Sequence, residues 1–250
     1  MLSIGLDAPV GWNGNQSGDL VWPTHYVDVN PIGTRYSLGI HTGADLNDNV
    51  TFGWDSDKFG NVYAMDTGTV TYAGTISETS TWGQVLNIQY DVAGFGLIIA
   101  RYAHLKEIDV QVGQLIDKGH KVGRIGNGNP SRPLPYHLHF DISLTRILVN
   151  HPGHWPGIDF PAIVRNYVEP KSFIRLSRPG LVWPDRKRGY AMSSVNFRTG
   201  PSTAFASYKT LVKGERFTIL NTLDNWHFLL LDGEEYGWSH ANYVAEGEPF

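Results

Sequence analysis

Glycine and proline interrupt this chain too often for long helices to form. There are 28 glycines and 14 prolines among 250 residues. Both favour turns, glycine because it tolerates positive φ and proline because its ring fixes φ. Between the interruptions lie short runs of aromatic and β-branched residues, the composition of strands. Aromatic residues make up 12% of the chain, which strengthens that reading. The expectation is a mainly β protein of short antiparallel strands.

Several classes of function are excluded at this level. The formal charge is −4 and no basic patch stands out, so no nucleic-acid partner is expected. No apolar run has the length needed to cross a bilayer, so no membrane partner is expected. The opening stretch MLSIGLDAPVGWNG has neither a basic region nor a long apolar one, and no signal peptide is expected in it. The chain has no cysteine, which rules out disulfides and thiolate zinc sites.

Residues 1–34 are rich in Gly, Asn, Pro and Trp without periodicity and read as an irregular arm. From residue 35 to 176 short strand signals alternate with turn signals. NVYAMDTGTVTYAG reads as a hairpin turning at Asp66, Thr67 and Gly68. QVLNIQYDVAGFGLIIARYAHL reads as a second hairpin turning at residues 91–96. Gly113 and Gly119 mark two further turns. FPAIVRNYVEPKSFI reads as a helix ended by Pro170. The Pro-, Gly- and charge-rich residues 177–189 read as a linker. Residues 190–246 follow as five short strand candidates with turns between them, the pattern of a small β-barrel.

The stretch LPYHLHFDI places two histidines in a β-leaning run. Side chains two apart in a strand share a face, so His137 and His139 point one way while Leu138 and Phe140 point into a core. Two imidazoles on one face suit a metal, or a metal with a proton-handling group beside it. The plain alternative is a solvated pair. GIHTGADLN adds His41 and Asp45 around Gly43, an imidazole and a carboxylate that suit Zn²⁺. With one of the strand histidines they form a His-Asp-His set. Three protein ligands leave a fourth position for water, the catalytic arrangement, in which zinc acidifies water and polarises a carbonyl. RYAHLKE contributes His104, expected on the same strand face as Tyr102, either as a partly buried histidine or as a proton donor. Tyr36 and Tyr102 are both candidates to hydrogen-bond in the site.

GIHTGADLN, VYAMDTGTVTYAG, YAHL, VGQLIDKGHKVGRIGNG and HLHFDI, in that order, resemble the lysostaphin-type zinc metallopeptidases. The resemblance spans roughly residues 35–173. It implies that His41, Asp45 and His139 bind one Zn²⁺ per chain, and that His104 and His137 are active-site histidines outside the ligand set. It implies an antiparallel β-sheet with the site in a groove, and hydrolysis of stem-peptide crosslinks or glycine bridges in bacterial peptidoglycan. One departure is the long segment LNDNVTFGWDSDKFGN, carrying Asp48, Phe52, Trp54, Asp55 and Asp57, which reads as a groove wall or a surface loop. His25, His120, His151, His154, His227 and His240 read as surface or loop residues.

The last region resembles a bacterial SH3-like domain. The cues are Asn196 and Arg198 before Gly200, Pro201 and Ser202, then Trp226, then Tyr236, Gly237 and Trp238. The resemblance implies a cell-wall ligand, and a tethered binder of that kind raises the local concentration of the catalytic domain on its polymer. The expected protein is a monomeric peptidoglycan endopeptidase working outside the cell or in its wall, secreted or delivered by phage as an endolysin. The alternative is a catalytically silent wall-binding protein that regulates other hydrolases. Loss of a ligand would mark it, and none of the five site positions is lost.

Overall fold

The computed structural model describes residues 27–47, 57–78, 80–93, 95–177, 184–232 and 234–249. Expectations for residues 1–26 of the arm, 48–56 of the long loop and 178–183 of the linker lie outside them.

The strands in chain order are β1 (Val27–Asp28), β2 (Arg35–Tyr36), β3 (Gly39–Ile40), β4 (Ala44–Asn47), β5 (Asn61–Tyr63), β6 (Gly68–Thr75), β7 (Gln84–Val92), β8 (Gly96–Ile108), β9 (Leu115–Ile116), β10 (Lys121–Asn129) and β11 (Arg132–Ser143). Short helices α1 (Ile147–Asn150), α2 (Phe160–Asn166) and α3 (Pro170–Leu176) follow, with β12 (Tyr167–Val168) between the last two. The chain ends in β13 (Lys187–Ala191), β14 (Val195–Arg198), β15 (Ser207–Leu211), β16 (Arg216–Leu223), β17 (Trp226–Leu231), β18 (Tyr236–His240) and β19 (Val244–Glu246). The fold is mainly β, as expected.

The first sheet has ten strands. Its path is β1-β4-β11-β10-β8-β7-β6-β9, with β12 on β11, β5 on β10, and β8 also paired to β11. Strand β8 is its spine. Ile98, Ala100 and Tyr102 alternate into the main core with Leu86, Ile88 and Phe140. Ile99, from the opposite face, packs under α1 and α2 with Leu148 and Ile163. A strand covered on both faces reads as a nearly continuous apolar run, which is what LIIARYA is, apart from one arginine.

The β7–β8 hairpin forms with Val92 opposite Gly96, as the turn signals suggested. The other expected hairpin does not. Strand β5 pairs with β10 and β6 with β7 and β9, because each gains a longer partner elsewhere in the sheet. The single expected helix is two. Pro170 opens α3 rather than ending a helix, and the Glu169 side chain caps it by accepting from the backbone of Lys171 and Ser172. Proline suits a first helical position, where its missing N–H is no loss.

The C-terminal strands form one seven-stranded antiparallel sheet in the order β15-β14-β18-β17-β16-β13-β19, two strands more than the sequence suggested. Leu211 of β15 and Val244 of β19 share one core cluster, so the sheet curls until its two end strands meet the same apolar interior. This sheet is also docked, not merely tethered. Leu220, Phe228 and Trp238 belong to the same buried cluster as Phe173, Ile174 and Leu176 of α3.

Candidate metal centre

Register places the polar residues. Strand β11 aligns His139 with Asp45 of β4 and with Ala103 of β8, so these three side chains share a face. His137 lies two positions along the same face, while Leu138 and Phe140 are fully buried in the core behind it. His41 arrives from the end of β3. A Cβ on Gly43 would stand 2.3 Å from the Phe140 carbonyl oxygen. The glycine is therefore needed so that the chain between His41 and Asp45 can cross β11. Close approach, rather than torsional freedom, is its role.

His104 reaches the same face by a different route. Strict alternation would send it to the core with Tyr102. Instead its backbone is left-handed, φ 63°, and the β7–β8 register slips between Leu86 and Gln84 so that Tyr102 and Leu105 are the residues paired on either side. Both of those enter the core. This is a bulge that re-aims one side chain, a device common beside functional sites, and it corrects the expected facing of His104. Tyr102 is removed from the site. Its hydroxyl pairs with Tyr90 at 2.8 Å and accepts from the Met65 backbone. A left-handed non-glycine residue is strained by about 1–3 kcal/mol. His104→Gly is therefore expected to be more stable than His104→Ala by about 1 kcal/mol, measured as urea unfolding of the two variants. Equal stabilities would mean the bulge carries no strain.

Three donor atoms converge. His41 Nε2 lies 2.9 Å from Asp45 Oδ1 and 2.9 Å from His139 Nδ1, and His139 Nδ1 lies 3.1 Å from the same Asp45 oxygen. Donors on a tetrahedral zinc at bond lengths of about 2.0–2.1 Å stand roughly 3.3 Å apart, so this nitrogen, nitrogen and oxygen triangle fits such an ion with little adjustment. The residues around it set the donors. Asn30 donates from Nδ2 to Asp45 Oδ2 at 3.0 Å, occupying the carboxylate oxygen that the triangle does not use. His139 Nε2 donates to Asp141 Oδ2 at 3.0 Å, which leaves the lone pair on Nδ1 facing the other donors. A carboxylate on the far side of a ligating imidazole is the usual way to fix its tautomer and raise its basicity.

Asp141 is held in turn by Thr42 Oγ1 at 2.8 Å and by a short contact with Arg101 Nη2. Asp141 and Arg101 are both fully buried. Burial disfavours the Asp141 charge, but Arg101 and His139 outweigh it and hold the carboxyl down to about 2. Arg101 also donates to the carbonyls of Pro152 and His154 and lies 4.2 Å from the centre of the Trp82 ring.

His104 and His137 flank the triangle with ring centres 4.7 Å apart. His137 Nδ1 is 2.7 Å from the Pro135 carbonyl oxygen and His104 Nδ1 is 3.2 Å from that of Thr81. A carbonyl can only accept, so in each ring Nδ1 carries the proton and Nε2 is left with a free lone pair. His137 Nε2 stands 3.6 Å from Asp45 Oδ1. Burial pushes His137 below its ordinary value. Burial, with His137 and His139 adding to it, pushes His104 well below. Both rings are therefore neutral bases at pH 7.

All five expected residues line one cleft of about 280 Å³ with Tyr36, Trp82 and Trp155. Tyr36 stacks on Trp155 at 6.1 Å, and burial with the nearby Asp45 charge pushes its phenol up to about 12. Trp82 stacks on His104 and meets His139 edge-on. Of the long loop, Phe59 packs edge-on against Tyr136. Sequence reasoning missed Asn30, Trp82, Arg101 and Asp141. Two of these left a signal. Asp141 lies two residues beyond His139 on the same face, and a lone arginine in LIIARYA requires a buried partner.

Residues 40–151 match peptidase family M23 and residues 193–245 match the bacterial SH3 domain. No curated protein sequence matches the chain. Among solved structures the chain is similar to the antimicrobial peptidase lysostaphin from Staphylococcus simulans, at 16% identity and TM-score 0.44, over 86% of this chain and 88% of that one. It is similar to a zinc-containing peptidase from Vibrio cholerae, at 21% identity and TM-score 0.39, over 55% of this chain and 36% of that one. It is also similar to the catalytic domain of the prophage-encoded M23 protein EnpA from Enterococcus faecalis, at 20% identity and TM-score 0.40, over 60% and 92%.

Proposed function

From an M23 peptidase domain followed by a bacterial SH3 domain, we propose a zinc-dependent endopeptidase that cleaves peptide crosslinks of bacterial peptidoglycan outside the cell or in its wall. The observation that carries this reading is the donor triangle of His41, Asp45 and His139 beside two neutral imidazoles with free Nε2 atoms.

His41, Asp45 and His139 would hold the ion. When bound, zinc supplies Lewis acidity toward the scissile carbonyl and makes water easier to deprotonate. The remaining steps belong to the chain. His137 Nε2 accepts a proton from the attacking water, since its Nδ1–H is tied to Pro135 and cannot turn away. The protonated His137 returns that proton from Nε2 to the leaving amine, and His104, held by Thr81 with its own Nε2 lone pair free, can take the same part on its side. Asn30 keeps Asp45 presenting one oxygen. Trp82 covers His104 and His139 from one side. The small domain holds the enzyme on its insoluble polymer. The silent alternative has no observation in its favour, because none of the five groups is replaced.

The test is mass spectrometry of fragments released from purified peptidoglycans of two crosslink types, with metal analysis of the protein. One zinc per chain is expected, along with new peptide termini that disappear when a chelator removes the metal. A protein that neither carries nor takes up zinc, or that releases nothing from either wall, would overturn the reading.

A further inference from the structure

His41 differs from His139 in how it is held. The His139 ring is fixed from behind by Asp141. The far nitrogen of His41, Nδ1, is buried with no hydrogen-bond partner among the described residues. Its ring has no polar anchor on that side, so the placement of Nε2 depends on where the backbone of His41 lies. Both backbone polar groups of His41 are taken by residues 33 and 34. Gly33 N–H donates to the His41 carbonyl at 3.0 Å, and His41 N–H donates to the Thr34 carbonyl at 2.9 Å.

That short segment is gripped from its other side by the small domain. Thr199, just beyond β14 and 4% exposed, donates from Oγ1 to the Ile32 carbonyl at 3.0 Å. Gly33 has φ +89°, and a Cβ there would meet Thr199 Cγ2 and Ala206 Cβ at 3.0 Å each. The seam is apolar around this bond. Ile32 and Ile40 share a buried cluster with Phe160, against which Ala206 and Tyr208 pack. Tyr208 stacks on Phe160 at 5.3 Å. Ile40 is the residue immediately before His41.

We infer that the small domain is a working part of the metal centre, with Thr199 as a positioning residue that fixes the His41 backbone through residues 32–34 and so sets metal affinity. This rests on the reading of His41 as a metal ligand. A buried carbonyl that loses its donor is costly, and the Ile32 carbonyl would relax by moving the segment that holds His41. Residues behind a metal ligand commonly govern affinity in this way.

The experiment measures zinc affinity of the full-length protein by competition with a chromophoric chelator, alongside the unfolding midpoint of the metal-free form. Thr199→Val keeps the shape and removes the donor, and is expected to weaken zinc binding about 10-fold, the lower end of what such outer contacts contribute. Thr199→Ser keeps the hydroxyl and is expected to restore near wild-type affinity. Ala206→Val crowds Gly33 from the small domain's side and is expected to weaken zinc as Thr199→Val does, which keeps the test open should that variant fold poorly. Val244→Ala, in the small core away from the seam, is the control and is expected to lower the midpoint without moving the affinity. Wild-type affinity in Thr199→Val and Ala206→Val would overturn the coupling while leaving the metal centre intact. Affinity that follows the midpoint in all variants, Val244→Ala included, would overturn it as well. Absence of zinc binding by the wild type would overturn both readings together.

Discussion

His137→Ala is expected to slow peptidoglycan hydrolysis by about 10²–10⁴-fold, the range of a lost general base, while one zinc per chain stays bound. The two halves of this expectation come from different atoms. His137 is not among the three donors that lie within hydrogen-bond distance of one another, so its removal leaves them in place. Its own Nε2 has no donor tied to it, stands 3.6 Å from the Asp45 oxygen, and belongs to a ring that burial keeps neutral. The backbone of β11 fixes its position, because Leu138 and Phe140 on the strand's opposite face are locked in the core. The other polar groups on that face of β11 are committed elsewhere, His139 to the donor triangle and Asp141 to Thr42 and Arg101. His104 can carry part of the proton traffic but enters from a bulge on β8, with its ring centre 4.7 Å from that of His137. The measurement is the rate of new peptide termini from purified wall, set beside metal content of the same preparation. If metal is lost together with activity, His137 is a ligand and not a base. If the rate falls by less than about 10-fold, His104 alone supplies the base.

How much of this was legible in the sequence depends on the range of the interaction. Period-two alternation is local, and it correctly put His137 and His139 on one face with Leu138 and Phe140 behind. The β7–β8 hairpin was legible for the same reason, since its turn and both strands are contiguous. Alternation failed at His104, where one left-handed residue reverses the facing of everything after Tyr102. Nothing in RYAHL marks that conformation, because histidine does not demand it. The pairing of β5 with β10 also escaped, since the chain does bend at residues 65–67 but the strands on either side find better partners elsewhere. Pro170 reads as a stop in the sequence because proline ends one helix as readily as it begins the next, and only the capping Glu169 tells the two apart. The alignment of Asp45 with His139 and the grip of Thr199 on Ile32 join residues far apart in the chain, and no short motif encodes either.

Asp141→Asn is expected to destabilise the protein by about 3–5 kcal/mol, the effect of breaking a buried ion pair from one side, and to weaken zinc binding by about 10–100-fold. Arg101 and Asp141 are both fully buried. Taking away one charge leaves the other desolvated without its counter-charge, and the Arg101 guanidinium then keeps, among the described residues, only neutral neighbours: Thr42, two backbone carbonyls and the Trp82 and Tyr167 rings. Arg101→Met should cost a similar amount of stability for the mirror-image reason, since the Asp141 carboxylate would keep only Thr42 and His139. The double variant Arg101→Met with Asp141→Leu is expected to be less destabilised than the sum of the single variants, because it leaves no uncompensated charge. Metal affinity separates the two roles of Asp141. The Arg101→Met protein still has a carboxylate to orient His139 Nε2–H and should retain much of its zinc affinity. The Asp141→Asn protein has only a neutral amide there and should lose it. Urea unfolding of the metal-free proteins and chelator competition on the same samples make the comparison. If both single variants lose zinc equally, the ion pair acts as one unit and the carboxylate has no separate part in orienting His139.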